Sequence, residues 1–452
     1  MSTAAPTTAP VNPRSRVIIA SLVGTSIEFY DFYVYATAAV LVFPALFFPS
    51  ESAVAAQLSS FATFALAFFA RPIGSIIFGH FGDRIGRKAT LVASLLVMGI
   101  ATFLIGCLPT FDSIGVVAPI LLAVLRFSQG LGLGGEWSGA ALLAIENAPA
   151  RRRAVYGTFP QLGAPIGFIL ANGLFLILSL SITPEAFAAW GWRVPFLVSA
   201  LLVVVGLYVR LRLVESPIYT KSIERGERVK LPLATVFRYS WRPLILGTFI
   251  MLATYVLFYF MTTFTLTYGT APTEAAEGVK VGLGYSRPEF LGLLLIGVAF
   301  FAIFTPIAGI LADRYGRRKT LIVITIAIAI FGLTFQSWFA ASMDSASVAL
   351  FLATGLSLMG LTFGPMGALL PELFPTNVRY TGSAIAYNVG SILGASLAPT
   401  VALALWTADG DIFKVGLYLT GAAVLTLIAL LLSKETREID LVDNGSTGSL
   451  AP

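Results

Sequence analysis

One ten-residue stretch occurs twice in this chain of 452 residues. Its first copy is Gly79-His80-Phe81-Gly82-Asp83-Arg84-Ile85-Gly86-Arg87-Lys88, and its second is Gly309-Ile310-Leu311-Ala312-Asp313-Arg314-Tyr315-Gly316-Arg317-Arg318. From position 79 to position 309 the offset is 230 residues, about half the chain. A second pair repeats almost in step: Glu146-x-x-Pro149-x-x-x-Arg153 and Glu372-x-x-Pro375-x-x-x-Arg379, offset from 146 to 372 by 226. Two independent matches at nearly one spacing make the chain two similar halves in series. Each copy of the longer motif is a short, basic, Gly-punctuated connection between two long apolar segments.

Hydrophobic residues make up 57% of the chain and charged residues only 12%. Soluble domains carry about 25% charged residues, so lipid must replace water over most of this surface. In lipid every backbone polar group has to be satisfied internally, which leaves helices or a closed barrel. The apolar runs are continuous, as from Leu425 to Leu432, whereas barrel strands alternate over about ten residues. The fold class expected is therefore an all-α membrane protein. A spanning helix needs about 20 apolar residues, and twelve candidates are found: 17–48, 55–79, 89–108, 115–145, 154–180, 190–213, 242–268, 288–312, 320–340, 346–371, 380–406 and 412–433. The first is overlong and is expected to bend or end near Pro44. This gives an N-terminal tail (1–16), a six-helix bundle (17–213), a linker (214–240), a second bundle (241–433) and a polar, Gly/Ser-rich, disordered tail (434–452). Residues 1–13 lack a basic cluster before Arg14 and Arg16, so the first segment reads as a retained helix and not a leader.

Charge then sets orientation. With both ends on the cytoplasmic side, the loops and ends there hold 23 of the 29 Lys and Arg residues; the opposite loops hold Arg193, Lys280, Arg287 and Lys414, and Arg71 and Arg126 lie in apolar segments. That asymmetry is the positive-inside signal. The formal charge of +6 is thus a topology address; scattered over short loops, it argues against a nucleic-acid partner. A duplicated helical bundle with matched hinges is the layout of a secondary transporter. The single Cys107 permits no intrachain disulfide, no P-loop is present, and no metal site, cofactor or catalytic set is expected. His80, the only histidine, borders the first hinge and reads as a loop residue.

In the repeated motif, Gly79 permits close helix approach and Gly86 and Gly316 a tight turn, while Asp83 and Asp313 stand where a carboxylate can bond Arg84, Arg87, Arg314, Arg317 or a neighbouring helix N-terminus. Such a bond can hold one conformation and break in another. Glu146, Arg153, Glu372 and Arg379 belong to the same set of conformational-latch candidates.

The paired loops resemble the signature of the major facilitator superfamily. More narrowly, Glu28-Phe-Tyr-Asp31-Phe, Arg71-Pro-Ile-Gly74, Arg126-Phe-Ser-Gln-Gly130, Gly134-Gly135-Glu136-Trp137 and Trp190-Gly-Trp-Arg193-Val-Pro195-Phe196 are similar to its metabolite:proton symporters. The narrower resemblance is strong in the N-terminal half and weaker after residue 245. It implies two pseudo-symmetric six-helix bundles around a central cavity, a proton as coupling ion, and a substrate among carriers' cargoes such as shikimate, 2-oxoglutarate, citrate, proline and betaine. It further implies a protein of the bacterial-type cytoplasmic (inner) membrane that works as a monomer.

Residues inside the apolar segments carry the chemistry. Glu28 and Asp31 share one helix face, about 4.5 Å apart along the axis. An ionised carboxylate is costly there, which suits a residue that takes up and gives back a proton. Glu136 is a second candidate proton site, or a partner for Arg71. Arg126 must find an anion: Asp31, Glu28 or the substrate. In the last case the substrate is an organic acid; a zwitterionic osmolyte is the alternative, and efflux or a non-transporting sensor less favoured. Tyr30, Gln161, Tyr255, Tyr259, Tyr387 and Asn388 are candidate pocket residues, offering rings and directed hydrogen bonds to a small polar solute.

Overall fold

The computed structural model describes residues 14–85, 87–134, 136–211, 232–273, 282–340, 344–375 and 378–439. The side chains of the first motif copy (Gly79, His80, Asp83, Arg84, Arg87), and Gly86 itself, lie outside the described residues, as do 212–231 of the linker and 440–452 of the tail.

Twelve long helices are present among the described residues. They are α1 (Arg14–Leu41), α2 (Ala53–Ile85), α3 (Arg87–Cys107), α4 (Val117–Leu133, continued by Glu136–Glu146), α5 (Arg153–Ser181) and α6 (Val194–Leu211). The second half holds α7 (Trp241–Tyr259, extended through a π-turn at Phe260–Phe264 to Thr265–Thr270), α8 (Arg287–Tyr315), α9 (Arg317–Leu333), α10 (Ser345–Glu372), α11 (Arg379–Ser391, then a π-turn at Ile392–Ser396 and Ala398–Asp409) and α12 (Ile412–Leu432). Nine of these are long and apolar enough to cross a membrane by length and composition alone. The remaining three fall short for visible reasons. α1 carries Glu28 and Asp31, α3 is described with its side chains only from Val92, and α9 has 17 residues before a turn at Thr334.

Local chemistry sets the breaks. α1 stops at Leu41, and a short helix, Phe43–Phe47, follows with Pro44 in its first turn, where the missing N–H costs nothing. Ser286 and Glu289 form a capping box at the start of α8. Gly316, the glycine of the second motif, takes φ +102° between α8 and α9, a conformation closed to side chains with a Cβ.

Within the first half α1 packs on α5 and α6, α2 on α4, and α3 on α4 and α6; within the second, α8 packs on α10, α9 on α12, and α7 on α11 and α12. The halves meet through α5 against α8 and α10, and through α2 and α4 against α11. α7 lies at the centre, with 83% of its most apolar stretch buried, against 28% for the peripheral α6. Large apolar side chains such as Ile100, Val124, Leu201, Val204 and Val323 point outward, the surface that a bilayer covers.

The tail departs from expectation at its start. Residues 434–439, expected to be disordered, fold back on the α8–α9 turn. Glu435 accepts hydrogen bonds from the Arg317 and Arg318 backbone N–H groups at the N-terminus of α9, at 2.9 and 3.1 Å. Its polar composition supplies a cap for a helix end.

Candidate functional site

The charged side chains of the first half form two adjoining groups. Arg126, on α4, is fully buried and sits among the rings of Phe32, Tyr35 and Phe64, whose centroids lie 4.5, 4.0 and 4.9 Å from its guanidinium carbon. It donates to the Phe64 carbonyl at 3.3 Å and to the Gln129 side chain. Among the described residues no carboxylate pairs with it, so it does not bond Asp31 or Glu28. Gln129, one turn on, donates in turn to the Asp31 backbone carbonyl (3.0 Å) and to the Thr102 hydroxyl (2.8 Å). Asp31 is 0% exposed and lies beside Ser199 and Thr102, yet neither carboxylate oxygen has a hydrogen-bond partner among the described residues. A carboxylate so placed is expensive to keep charged.

The second group centres on Glu136. It pairs with Arg210 of α6 and accepts from Ser94 of α3 at 2.9 Å. The Glu28 carboxyl faces that of Glu136, with Arg71 and Arg210 the nearest cations. Two carboxyls and one directly bonded guanidinium thus share a pocket that is nearly sealed: Glu28 is 6% and Glu136 5% exposed. Sequence reasoning missed Arg210, assigning it to the loops. The available signal was its position inside the apolar stretch 190–213.

Between the halves lies a narrow, nearly closed cleft of about 10 Å³, room for a single water, lined by Tyr33, Ala36, Thr37, Phe168, Phe258 and Tyr259, with Thr262 and Thr263 presented by the π-turn of α7. Such turns re-aim side chains and often mark functional sites. Of the candidate pocket residues, Tyr259 lines this cleft. The others make contacts between or within the bundles. Gln161 accepts from the Trp137 indole (2.7 Å) and donates to the Phe363 carbonyl of α10 (2.9 Å). Tyr387 stacks on Trp137, with centroids 3.9 Å apart, and its carbonyl accepts from the Tyr255 hydroxyl at 3.3 Å. Asn388 donates to the Gly134 carbonyl and the Ser75 hydroxyl, each at 3.0 Å. Tyr30 turns away from the seam and donates to the Pro195 carbonyl in the first turn of α6 at 2.7 Å.

At the end bearing the repeated motifs, here termed the hinge end, the halves touch directly. Asp313 accepts from the backbone N–H groups of Ala154 and Val155, at 3.0 and 2.9 Å, in the first turn of α5. It also pairs with Arg317 at 3.0 Å, which in turn holds Glu372 at 3.2 Å. Arg314 lies over the Tyr315 ring, 5.3 Å from its centroid. Arg153 donates to the Ile439 carbonyl of the tail, and Arg379 lies within electrostatic reach of Glu146 and Glu372. A Cβ at Gly367 of α10 would fall 2.3 Å from the Gly157 carbonyl of α5, so the two helices cross backbone to backbone.

Two six-helix bodies that meet at a hinge end and enclose a cleft define a multi-pass membrane carrier of small solutes and not an enzyme. The chain belongs to the Major Facilitator Superfamily, whose sequence model matches residues 21–399 and 270–448. It is 59% identical to the inner membrane metabolite transport protein YhjE of Escherichia coli K12, over 96% of this chain and 97% of that one. It is 35% identical to the shikimate transporter of the same organism, over 93% and 95% of the two chains. Among solved structures, the proton:xylose symporter XylE bound to 6-bromo-6-deoxy-D-glucose superimposes with a TM-score of 0.71 at 18% identity, covering 95% of this chain and 97% of that one, a likeness of fold.

Proposed function

We propose that the protein is a symporter that imports a small organic acid together with protons, by alternating access across a cytoplasmic membrane. The observation that carries this reading is Asp31: a fully buried carboxylate with both oxygens unbonded among the described residues, in a bundle where Arg71 and Arg126 also lack an ion-pair partner. Such a site suits a proton that arrives with an anion and leaves with it, because the pair moves less net charge through an apolar body than either alone. Relatives named as a shikimate transporter (35% identical) and as proline/betaine transporters (31–33% identical) carry solutes that share a carboxylate, and the choice of an acid over a zwitterion rests on the two buried guanidinium groups without an ion pair among the described residues.

Asp31, with Glu28 and Glu136 behind it, takes the proton from the outer side. The substrate enters the seam between the bundles, beside Tyr259, Tyr255 and Tyr387, under the positive field of Arg71 and Arg126. Rocking of the bundles then separates Asp313 from the α5 N-terminus and opens the hinge end, which we assign to the cytoplasm together with both chain ends. One chain suffices for this cycle. The test is transport by purified protein in liposomes. An imposed gradient, acidic outside, should accumulate labelled shikimate, 2-oxoglutarate or citrate, and a protonophore should abolish the accumulation. Accumulation that ignores the pH gradient would remove the proton from the account.

A further inference from the structure

We propose that Arg71 is the side chain that grips the carboxylate of the transported acid, at the seam between the bundles; this rests on the organic-acid reading above. Arg71 stands on α2 between Phe68, three residues before it, and Ser75, four after, so all three share one helix face. Both neighbours touch the other half of the protein. The Phe68 ring lies 5.8 Å from that of Tyr259 on α7, and the Ser75 hydroxyl accepts from Asn388 on α11 at 3.0 Å. The face that carries Arg71 is therefore the face that meets the second bundle.

The guanidinium is held without being neutralised. Its carbon lies 4.7 and 5.0 Å from the ring centroids of Phe32 and Phe68, a cation–π seat. It is 6% exposed, and its Nε is buried with no hydrogen-bond partner among the described residues. No ion pair ties it there either; Glu28 lies within electrostatic reach but not in contact. Tyr33 from one bundle and Tyr255, Tyr259 and Tyr387 from the other lie within the same reach. A fixed, planar cation at the seam, with phenols of both bundles within electrostatic reach, fits a carboxylate that also bears hydroxyl or carbonyl oxygens: two parallel N–H bonds take the carboxylate, and the phenols are available to the rest. Arg126 has a different setting. Three rings, the Phe64 carbonyl and Gln129, all from the first bundle, hold it there and leave only its Nη2 without a hydrogen-bond partner among the described residues.

The experiment is ligand binding to the purified full-length chain, using shikimate, 2-oxoglutarate and citrate, each against its methyl ester. The wild type should bind at least one acid and reject its ester. Arg71→Gln should weaken that acid about 100-fold and lose the discrimination, and Arg71→Lys, which cannot form the paired bonds, should weaken it about tenfold. Unliganded melting of each variant checks the fold, and Arg71→Lys decides alone if Arg71→Gln does not fold. Wild-type affinity in both variants, or in Arg71→Lys alone in that case, overturns the assignment and leaves the organic-acid reading standing. No binding of any of these acids to the wild type sinks both.

Discussion

Arg210→Met is the substitution whose cost follows most directly from the structure. Arg210 is 11% exposed at its side chain and pairs with Glu136, itself 5% exposed, while the Glu28 carboxyl faces the same spot. Removing one partner of a buried pair costs about 3–5 kcal/mol, because the other charge stays behind. Ser94 still donates to Glu136, which places the expected loss at the lower end, about 3 kcal/mol. Glu136→Gln should cost less, about 1 kcal/mol, because Arg210 lies in the last turn of α6 and its long stem can carry the charge outward. With both changes no charge is stranded, and the double variant should lose only about 1–2 kcal/mol. The cycle thus predicts a coupling of about 2 kcal/mol or more. Unfolding in mixed micelles, followed by the fluorescence of the adjoining Trp137, measures all four proteins. A loss below about 0.5 kcal/mol for Arg210→Met, or additivity within that margin, would refute the reasoning.

Two further outcomes follow from the hinge end. Asp313→Asn removes a charged acceptor from two α5 N–H groups and from Arg317, and should shift the balance toward an open hinge end by about 3 kcal/mol, some 100-fold in population; spin-label distances between α5 and α8 at that end should lengthen, and an unchanged distribution counts against the latch. Gly367→Leu drives a Cβ into the Gly157 carbonyl and should cut exchange of substrate across the membrane below about a tenth of wild type. Gly173→Leu, where a Cβ meets nothing within 4 Å, should exchange normally and serves as the control; equal rates in the two variants would show that the crossing does not matter.

Much of the architecture was legible in the sequence because lipid leaves a chain few choices. Long apolar runs had to be helices, and the repeats at 79 and 309 had to mark equivalent places. Pro44 pointed to the end of α1 because its ring removes a helix hydrogen bond and crowds the preceding turn, a strain that the other helices absorb at Pro72, Pro160, Pro165, Pro306, Pro365 and Pro371. The acidic pair Glu28 and Asp31 could be placed on one face by spacing alone. Partners were harder, since they come from other helices. Arg210 was assigned to the loops although it lay inside an apolar stretch, and the structure turns it inward to Glu136. Gln129, one turn from Arg126, was on the right face to bridge toward Asp31, but an amide carries no charge to draw attention. Gln161 and Asn388 read as pocket amides; both bond backbone carbonyls across the seam, a use that no local pattern distinguishes. The tail at 434–439 gave little apolar signal, because it is held by hydrogen bonds, from the α9 N-terminus to Glu435 and from the buried Thr436 hydroxyl to Glu372.

The central claim is that Asp31 carries the coupled proton, and Asp31→Asn in liposomes tests it most directly. The amide keeps the shape and cannot load or release a proton. The account predicts that this variant still exchanges labelled acid for unlabelled acid across the membrane but no longer accumulates it under an imposed pH gradient. Accumulation at the wild-type level by Asp31→Asn would contradict it.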